Sequence, residues 1–209
     1  MSSAFALDLV ALVADKDIEQ TLRGLLEKRQ ASLGIRVSRF QVFVHTRHDP
    51  AMLRESVAIL ASVLGRARHA LALFDHEGSG SGGRSAEQVQ QDLTDRLAAG
   101  GWGDRAAAIV IAPELEAWVW SDSPHVASAL GWDDTARLRE WLTERGHWRT
   151  GEAKPARPKE AFEAALTRMR TPRSAAIFRQ LAEEVGLQRC TDKAFARLCG
   201  QLRTWFGTE

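Results

Sequence analysis

The stretch HALALFDHEGSGSGG, residues 69–83, joins an apolar run to two acids and a glycine-rich segment. The apolar run, His69–Phe74, predicts a buried strand that ends directly before Asp75 and Glu77. Residues 78–83 predict a flexible loop, because glycine and serine favour turns and coil. Acids that follow a buried strand in this way are candidates for a binding site at the strand end.

Three other segments have the composition of strands, namely Phe5–Val13, Arg36–His45 and Ala106–Ala112. Apolar residues at helical spacing lie between and after them, so strands and helices alternate as far as about residue 120. This order predicts an α/β fold in which a mostly parallel sheet is flanked by helices that make right-handed crossovers. In such sheets, ligands bind beyond the carboxyl ends of the strands.

Capping residues mark the starts of the helices. Asp17 is predicted as the N-cap of the first helix with Gln20 as its capping-box partner, which leaves Asp15 without a capping role. Asp49 is predicted to cap the second helix and Ser85 the third. The predicted helical ranges in this part of the chain are 17–33, 50–64, 85–99 and 114–120.

Beyond residue 121 the pattern changes to helices alone. Their predicted ranges are 134–145, 158–170, 173–186 and 191–206. Residues 146–158 predict a loop or linker, since they contain two glycines and two prolines among charged side chains. We therefore predict an α/β domain over residues 1–145 and a helical extension, residues 146–209, that packs on it.

The composition is typical of a globular protein that folds without disulfides. Of its 209 residues, 44% are hydrophobic and 26% are charged. The two cysteines, Cys190 and Cys199, favour core thiols in a reducing compartment over a disulfide. No apolar run approaches the roughly 20 residues that span a bilayer. Residues 1–5 lack the basic segment of a secretory signal. We predict a cytoplasmic protein that does not contact a membrane.

Acids follow three of the four predicted strands. They are Asp15, Asp17 and Glu19 after the first strand, Asp75 and Glu77 after the third, and Glu114 and Glu116 after the fourth. Parallel strands would bring these loops to one edge of the sheet, where carboxylates repel one another unless a cation neutralises them. Oxygen ligands of this kind suit Mg²⁺ or Mn²⁺, and such a metal activates water and stabilises charge on a phosphodiester.

Two sets of candidates follow from this pattern. The catalytic candidates are Asp75, Glu77, Asp15 and Glu19. The metal-ligand candidates are Asp75, Glu77, Glu114 and Glu116. Structural roles are the alternative, because an isolated Asp-x-Glu pair is often a solvated turn and acids in a first helical turn favour the helix dipole.

Basic residues form a third set of candidates. Arg47 follows the second strand, and residues 141–209 are basic overall although the whole chain has a net charge of only +1. The nucleic-acid-binding candidates are Arg47, Lys154, Arg168, Arg170 and Arg173. Solvated helix faces are the alternative. No phosphate-binding glycine motif or nucleophile elbow occurs, so the sequence does not support nucleotide hydrolysis by this chain alone.

Several motifs together resemble a known family. ADKDIE (14–19), LFDHEGSG (73–80) and PELEAWVWSD (113–122), followed by KPARPKEAFEAAL (154–166) and CTDKAFARL (190–198), are similar to segments of an uncharacterised bacterial Toprim-like family. More distantly, the chain resembles the metal-binding Toprim domain of topoisomerases, bacterial primases and overcoming-lysogenization-defect nucleases. The resemblance covers nearly the whole chain, although each motif is short.

The resemblance implies a Toprim-like, Rossmann-like sheet with a Mg²⁺-dependent phosphodiester site. Asp75 and Glu77 match the family's Asp-x-Asp position, and Glu114 and Glu116 match its Pro-Glu-x-Glu segment. Members are often encoded near anti-phage defence genes, which implies a partner protein from a defence system.

The chain departs from the Toprim pattern at Ala14, where Toprim domains place a Glu directly after the first strand. Asp15 could substitute from the next position, although its side chain would leave the backbone in another direction. The leading hypothesis is a metal-dependent nuclease or nicking subunit that acts on DNA or RNA in anti-phage defence. The alternatives are a catalytically silent Toprim-like module that binds nucleic acid or a partner protein, and an unrelated phosphate-ester enzyme. The sequence leaves open whether the chain forms a homo-oligomer.

Overall fold

The computed structural model describes residues 5–208 and contains one four-stranded sheet. Its strands are β1 Leu7–Val13, β2 Phe40–Val44, β3 Ala67–Asp75 and β4 Ala106–Ile111. All neighbouring strands pair in parallel, in the order β2-β1-β3-β4. The predicted α/β class is confirmed, and the architecture is consistent with a Rossmann-like, Toprim-type fold. Residues 1–4, which contribute to the prediction about a secretory signal, lie outside the described residues.

Helices surround the sheet and make up most of the remaining structure. They are α1 Lys16–Lys28, α2 Gln30–Leu33, α3 Asp49–Ala61, α4 Ala86–Leu97, α5 Glu116–Val119, α6 Pro124–Ala129, α7 Thr135–Glu144, α8 Pro158–Met169, α9 Ala175–Glu184 and α10 Lys193–Phe206. Short π- or 3₁₀-helical turns cover Ala98–Trp102, Gly103–Arg105 and Leu187–Arg189. Across residues 5–208, no helix is long and apolar enough to cross a membrane.

The inner strands form the centre of the core because their side chains are apolar on both faces. Residues 9–13 of β1 and 70–74 of β3 are at most 1% exposed. Burial on both faces is what helices on either side of a parallel sheet produce. The edge strand β2 is only partly covered, with Gln41 exposed, as its mixture of apolar and polar residues predicted.

The start of α1 differs from the prediction. Asp15 is the N-cap, and its Oδ1 accepts a hydrogen bond from the Ile18 N–H at 2.9 Å. Asp17 lies inside the first turn, so the predicted Asp17–Gln20 capping box is wrong. The physical reason is that β1 ends at Val13, which leaves the chain a turn of only two residues before the helix.

The single helix predicted over residues 17–33 is divided at Arg29 into α1 and α2. The Arg29 Nη1 donates to the carbonyl oxygens of Glu183 at 2.6 Å and Val185 at 3.0 Å. This arginine therefore connects the break in the helix to the end of α9. Gly34 ends α2 with a φ of 67°, as its position after the apolar pattern predicted.

The four helices predicted in the C-terminal part are present as α7 to α10, whereas the helix predicted over 114–120 is reduced to the four residues of α5. Helix α6 was not predicted. Helix α9 packs along α1, and α10 packs on β4. The C-terminal helices therefore cover the α/β part, while the boundary proposed at residue 145 stays a prediction.

Close contact between α1 and α9 depends on Gly24. A Cβ atom at this position would lie 3.0 Å from the Ala182 Cβ and 3.1 Å from the Arg179 carbonyl oxygen. We expect Gly24→Val to lower the free energy of unfolding by about 2–3 kcal/mol, because overpacking forces the two helices apart. Urea denaturation measures this change.

The matched control is Gly200→Val on α10, where a Cβ atom would meet nothing within 4 Å. Valine has a higher helix propensity than glycine, so this control is expected to be neutral or slightly stabilising. Equal losses of stability in the two variants would contradict the close approach of α1 and α9 as the cause.

Candidate functional site

An acidic cleft of about 560 Å³ opens at the carboxyl edge of the sheet, where β1, β3 and β4 end. Its acidic lining consists of Asp15, Asp17, Asp49, Asp75, Glu77, Glu114, Glu116 and Glu160. Its basic lining consists of Arg157, Lys159 and Arg173. The volume is in the range of small-ligand sites. The cleft brings together six of the seven acids that the sequence placed after strands.

Asp75 lies at the end of β3, between the ends of β1 and β4. Its N–H donates to the Asp49 Oδ1 at 2.9 Å, whereas its own Oδ1 is buried and has no hydrogen-bond partner among the described residues. Burial raises the pKa of Asp75 well above its usual range. Neighbouring charges raise this pKa further, in the order Asp49, Asp15 and Glu116. The fold thus holds this carboxylate where a negative charge is unfavourable.

Asp49 is a site residue that sequence reasoning missed, because it was assigned as a helix cap. It is the first residue of α3, and the position before it is the N-cap. Burial raises the pKa of Asp49, and the charge of Asp15 adds to this effect. Burial also raises the pKa of Asp15, with a contribution from Asp17. Asp49 follows β2 by a few residues and therefore lies at the same edge of the sheet as the other acids. This position in the sequence was the signal that could have identified Asp49.

Glu114 and Glu116 follow β4 and are only 7% and 2% exposed. The Glu114 Oε1 accepts a hydrogen bond from the Lys159 N–H at 3.1 Å, so the N-terminus of α8 faces this carboxylate. Burial raises the pKa of Glu114, as does the charge of Glu116. The Trp120 indole N–H donates to the Pro158 carbonyl at 3.0 Å and fixes the start of α8. Helix α8 therefore forms one wall of the acidic cleft.

Glu77 lies at the exposed rim of the acidic cleft, where its N–H donates to the Pro113 carbonyl at 3.0 Å. His76, between the two acids, has its Nε2 atom 2.8 Å from the Arg84 carbonyl oxygen. The sequence predicted residues 78–83 as a flexible loop. The contact between His76 and Arg84 connects the two ends of this loop near the end of β3. Glu77 is thus placed to meet a ligand at the entrance.

Arg173 lies among the acids of the cleft. Its Nη2 atom is 2.7 Å from the Asp17 Oδ2 and 2.8 Å from the Glu116 Oε1. The first contact is a hydrogen bond, whereas the second is an ion pair without hydrogen-bond alignment. The guanidinium also lies 5.5 Å from the ring centroids of Phe162 and Phe178. The sequence predicted Arg173 as a phosphate-binding residue, but in this structure it is paired with carboxylates.

Glu19 lies outside the acidic cleft. Its carboxylate oxygens are 2.8 Å from the Lys16 Nζ and 2.9 Å from the Arg23 Nε. Burial favours a higher pKa for Glu19, but the hydrogen bonds from Lys16 and Arg23 outweigh it and lower this pKa. The position of Glu19 therefore gives no support to its prediction as a catalytic residue, because both ion pairs hold it on α1.

Two of the predicted nucleic-acid-binding residues are engaged away from the cleft. Arg47 forms an ion pair with Glu55 of α3. The Lys154 Nζ donates to the Ala117 carbonyl at 2.7 Å and lies 4.0 Å from Asp192. Lys154 therefore connects the segment after β4 to the C-terminal helices, and neither residue lines the acidic cleft.

The two remaining basic candidates lie at one end of α8, and two basic residues that were not among the candidates lie at the other. Arg168 and Arg170 are exposed near its C-terminus. Arg157 and Lys159 lie at its N-terminus and line the acidic cleft. The Lys159 Nζ is 3.8 Å from the Glu114 Oε2, and Arg157 pairs with Glu160 on the exposed surface. Positive charge thus borders the cleft on the side of α8.

The cleft contains many carboxylate oxygens, although they are not grouped around one point. Within residues 5–208, no three His, Cys, Asp or Glu side chains are arranged so that they could hold a metal ion together. Asp75 Oδ1 is nevertheless a buried oxygen without a hydrogen-bond partner in the described part of the chain, whereas Glu116 Oε1 is paired with Arg173 without an aligned hydrogen bond. Carboxylate oxygens are the ligands that Mg²⁺ and Mn²⁺ prefer. A divalent cation would therefore neutralise the charges that the fold concentrates here.

Comparisons of this chain with protein-family models, with curated proteins and with solved structures find no significant match. The Toprim-like resemblance therefore stays a hypothesis from the sequence motifs. The geometry and charge of the acidic cleft are the basis on which a function can be argued.

Proposed function

We propose that this protein is a divalent-cation-dependent phosphodiesterase that cleaves or nicks nucleic acid, and that it acts in bacterial anti-phage defence. The observation that carries the proposal is Asp75, whose buried Oδ1 lacks a partner while neighbouring acids crowd it. Unpaired buried carboxylates are costly to a fold, and they are retained where they bind a cation or react. The link to defence rests on the family resemblance alone.

The proposed cation ligands are Asp75 and one of two acids whose charges act on it, Asp49 or Glu116, and water molecules and a substrate phosphate would complete the coordination. When bound there, Mg²⁺ or Mn²⁺ would lower the pKa of a water molecule and stabilise negative charge on a phosphodiester. Ala14 stands where Toprim domains have their Glu. The next residue, Asp15, lines the cleft. Its raised pKa suits the acceptance of a proton from water, so we assign it as the general base.

The proposed substrate is nucleic acid because positive charge borders the acidic cleft on one side. Lys159 and Arg157 lie at the cleft, and Arg168 and Arg170 are exposed further along α8. These two pairs, at opposite ends of α8, would contact separate phosphates of one strand and place the phosphate at the N-terminal end next to the carboxylates. The glycine-rich segment 78–83 beside Glu77 leaves room for a sugar-phosphate backbone to approach.

A catalytically silent module that binds nucleic acid or a partner protein is the second candidate. Two observations favour it. Ala14 replaces the Toprim Glu, and Arg173 pairs with two of the acids that a cation would otherwise neutralise. In such a module the cleft would be held together by Arg173, and the basic side of α8 would provide the contact surface.

The two candidates are separated by incubating the purified chain with supercoiled plasmid, single-stranded DNA and RNA in Mg²⁺ or Mn²⁺. Nicking or cleavage that EDTA stops is the result we expect. Gel electrophoresis measures the products, and a binding assay on the same substrates measures affinity. Binding without cleavage in either metal would contradict the phosphodiesterase and favour the silent module.

A further inference from the structure

We propose that Arg173 is a displaceable counter-ion, which a substrate phosphate draws away from Asp17 and Glu116 so that phosphate and divalent cation bind the acidic cleft cooperatively. This inference rests on the proposed function, because it describes how the same cleft is regulated. It assigns Arg173 two alternative partners, the carboxylates in the resting protein and a phosphate in the loaded one.

The contacts of Arg173 show that it neutralises the acids where a cation would be needed. A single nitrogen atom, Nη2, contacts both Asp17 and Glu116 at 2.7 and 2.8 Å. The other terminal nitrogen, Nη1, lies 3.3 Å from the Glu163 Oε1. Glu116 is one of the acids whose charge raises the pKa of Asp75. Arg173 therefore offsets part of the negative charge that surrounds Asp75.

Arg173 is placed where a ligand at the cleft can reach its side chain. It lies in the connection between α8 and α9, outside both helices. Its side chain remains 35% exposed. The guanidinium lies over the rings of Phe162 and Phe178, whose cation–π attraction is less directional than a hydrogen bond. Its contact to Glu116 also lacks hydrogen-bond alignment.

Charge competition gives the direction of the coupling. A guanidinium beside Glu116 repels a second cation in the same cleft and therefore lowers its affinity. Phosphate is a strong bidentate acceptor for arginine, so a substrate phosphate at the mouth of the cleft competes with Asp17 for Arg173. Coupling between two sites is reciprocal. Bound phosphate must therefore raise the affinity of the cleft for the cation, and bound cation must raise its affinity for phosphate by the same factor.

The test measures Mn²⁺ affinity by electron paramagnetic resonance, with and without a short single-stranded DNA whose phosphorothioate linkages resist hydrolysis. We expect Arg173→Gln to bind Mn²⁺ about fivefold or more tightly than wild type in the absence of DNA. We expect the DNA to raise the Mn²⁺ affinity of wild type by a similar factor and to leave Arg173→Gln nearly unchanged. Mn²⁺ bound by the DNA alone is measured separately and subtracted.

Two variants serve as controls. Arg173→Lys keeps the positive charge and is expected to stay close to wild type without DNA. Arg179→Gln removes a surface arginine that pairs with Glu27 and Glu183 outside the cleft, and it is expected to show wild-type affinity and coupling. Circular dichroism verifies that each variant is folded. A tighter Mn²⁺ affinity in Arg173→Lys as well would overturn charge competition as the cause.

The inference and the proposed function fail in distinguishable ways. Suppose that wild type binds Mn²⁺ through Asp75. If Arg173→Gln then binds Mn²⁺ no more tightly than wild type, only the counter-ion role of Arg173 is overturned. The same holds if the DNA does not change the Mn²⁺ affinity of wild type. If neither wild type nor Arg173→Gln binds Mn²⁺, or Asp75→Asn binds it as wild type does, the cleft is not the cation site and the proposed function falls with the inference.

Discussion

Asp75→Asn is expected to reduce cation-dependent cleavage by about 10³-fold or more, because it removes the carboxylate around which the acidic cleft is built. Asparagine has the same shape as aspartate, so the hydrogen bond from the N–H of residue 75 to Asp49 can be retained. The substitution changes the charge of one buried group without leaving a cavity. Initial rates on a fluorescent oligonucleotide in Mn²⁺ measure the loss.

The matched control is Glu19→Gln, which neutralises another buried acid of the same region. Glu19 pairs with Lys16 and Arg23 and does not line the cleft, so we expect cleavage within about twofold of wild type at a temperature where both proteins are folded. Equal losses in the two variants would show that the effect comes from stability. Full activity in Asp75→Asn would eliminate Asp75 as a cation ligand.

In the absence of divalent cations, Asp75→Asn is expected to be more stable than wild type at neutral pH, by about 1–3 kcal/mol. Burial and the charges of Asp49, Asp15 and Glu116 raise the pKa of Asp75, so ionised Asp75 destabilises the folded state. Protonation removes this penalty. The advantage of the variant should therefore shrink as the pH falls through the raised pKa, and vanish near the ordinary value of 3.8.

Urea denaturation of both proteins at several pH values in EDTA measures this difference. Other groups titrate in the same pH range. Burial raises the pKa of Glu19, but the hydrogen bonds from Lys16 and Arg23 outweigh burial and lower this pKa. Burial lowers the pKa of His69. The contributions of Glu19 and His69 are common to both proteins and cancel in the difference, whereas Asp49 and Asp15 interact with Asp75 and are part of the measured effect. Saturating Mn²⁺ should reverse the order by stabilising only wild type. A variant that is less stable than wild type in EDTA would contradict the unfavourable charge at Asp75.

Most of the fold could be predicted because its signals are local. Apolar runs such as Ala106–Ala112 are too short for helices and too apolar for an exposed strand, so they indicate buried parallel strands. Ser85 and Gln88 form the capping box of α4, a pattern that can be read directly from the sequence. The alternation of these elements then leaves few arrangements other than a parallel sheet.

The parts of the site that could not be predicted depend on contacts between distant residues. Asp15 and Asp17 were assigned in the wrong order because either can cap a helix, and only the exact end of β1 decides between them. Asp49 was assigned as a helix cap from its place before Pro50, and this incorrect assignment hid its contact with Asp75. The position of Arg173, 156 residues from its partner Asp17, follows only from the packing of α8 and α9.

The wall that α8 contributes to the acidic cleft determines when the site is completed during synthesis. All four strands precede residue 112, whereas the Lys159 N–H and the Arg173 guanidinium lie much later in the chain. Domains fold from the N-terminus as they leave the ribosome. Glu114 and Glu116 therefore leave the ribosome before their later partners, and the cleft can be complete only once the chain has emerged as far as Arg173.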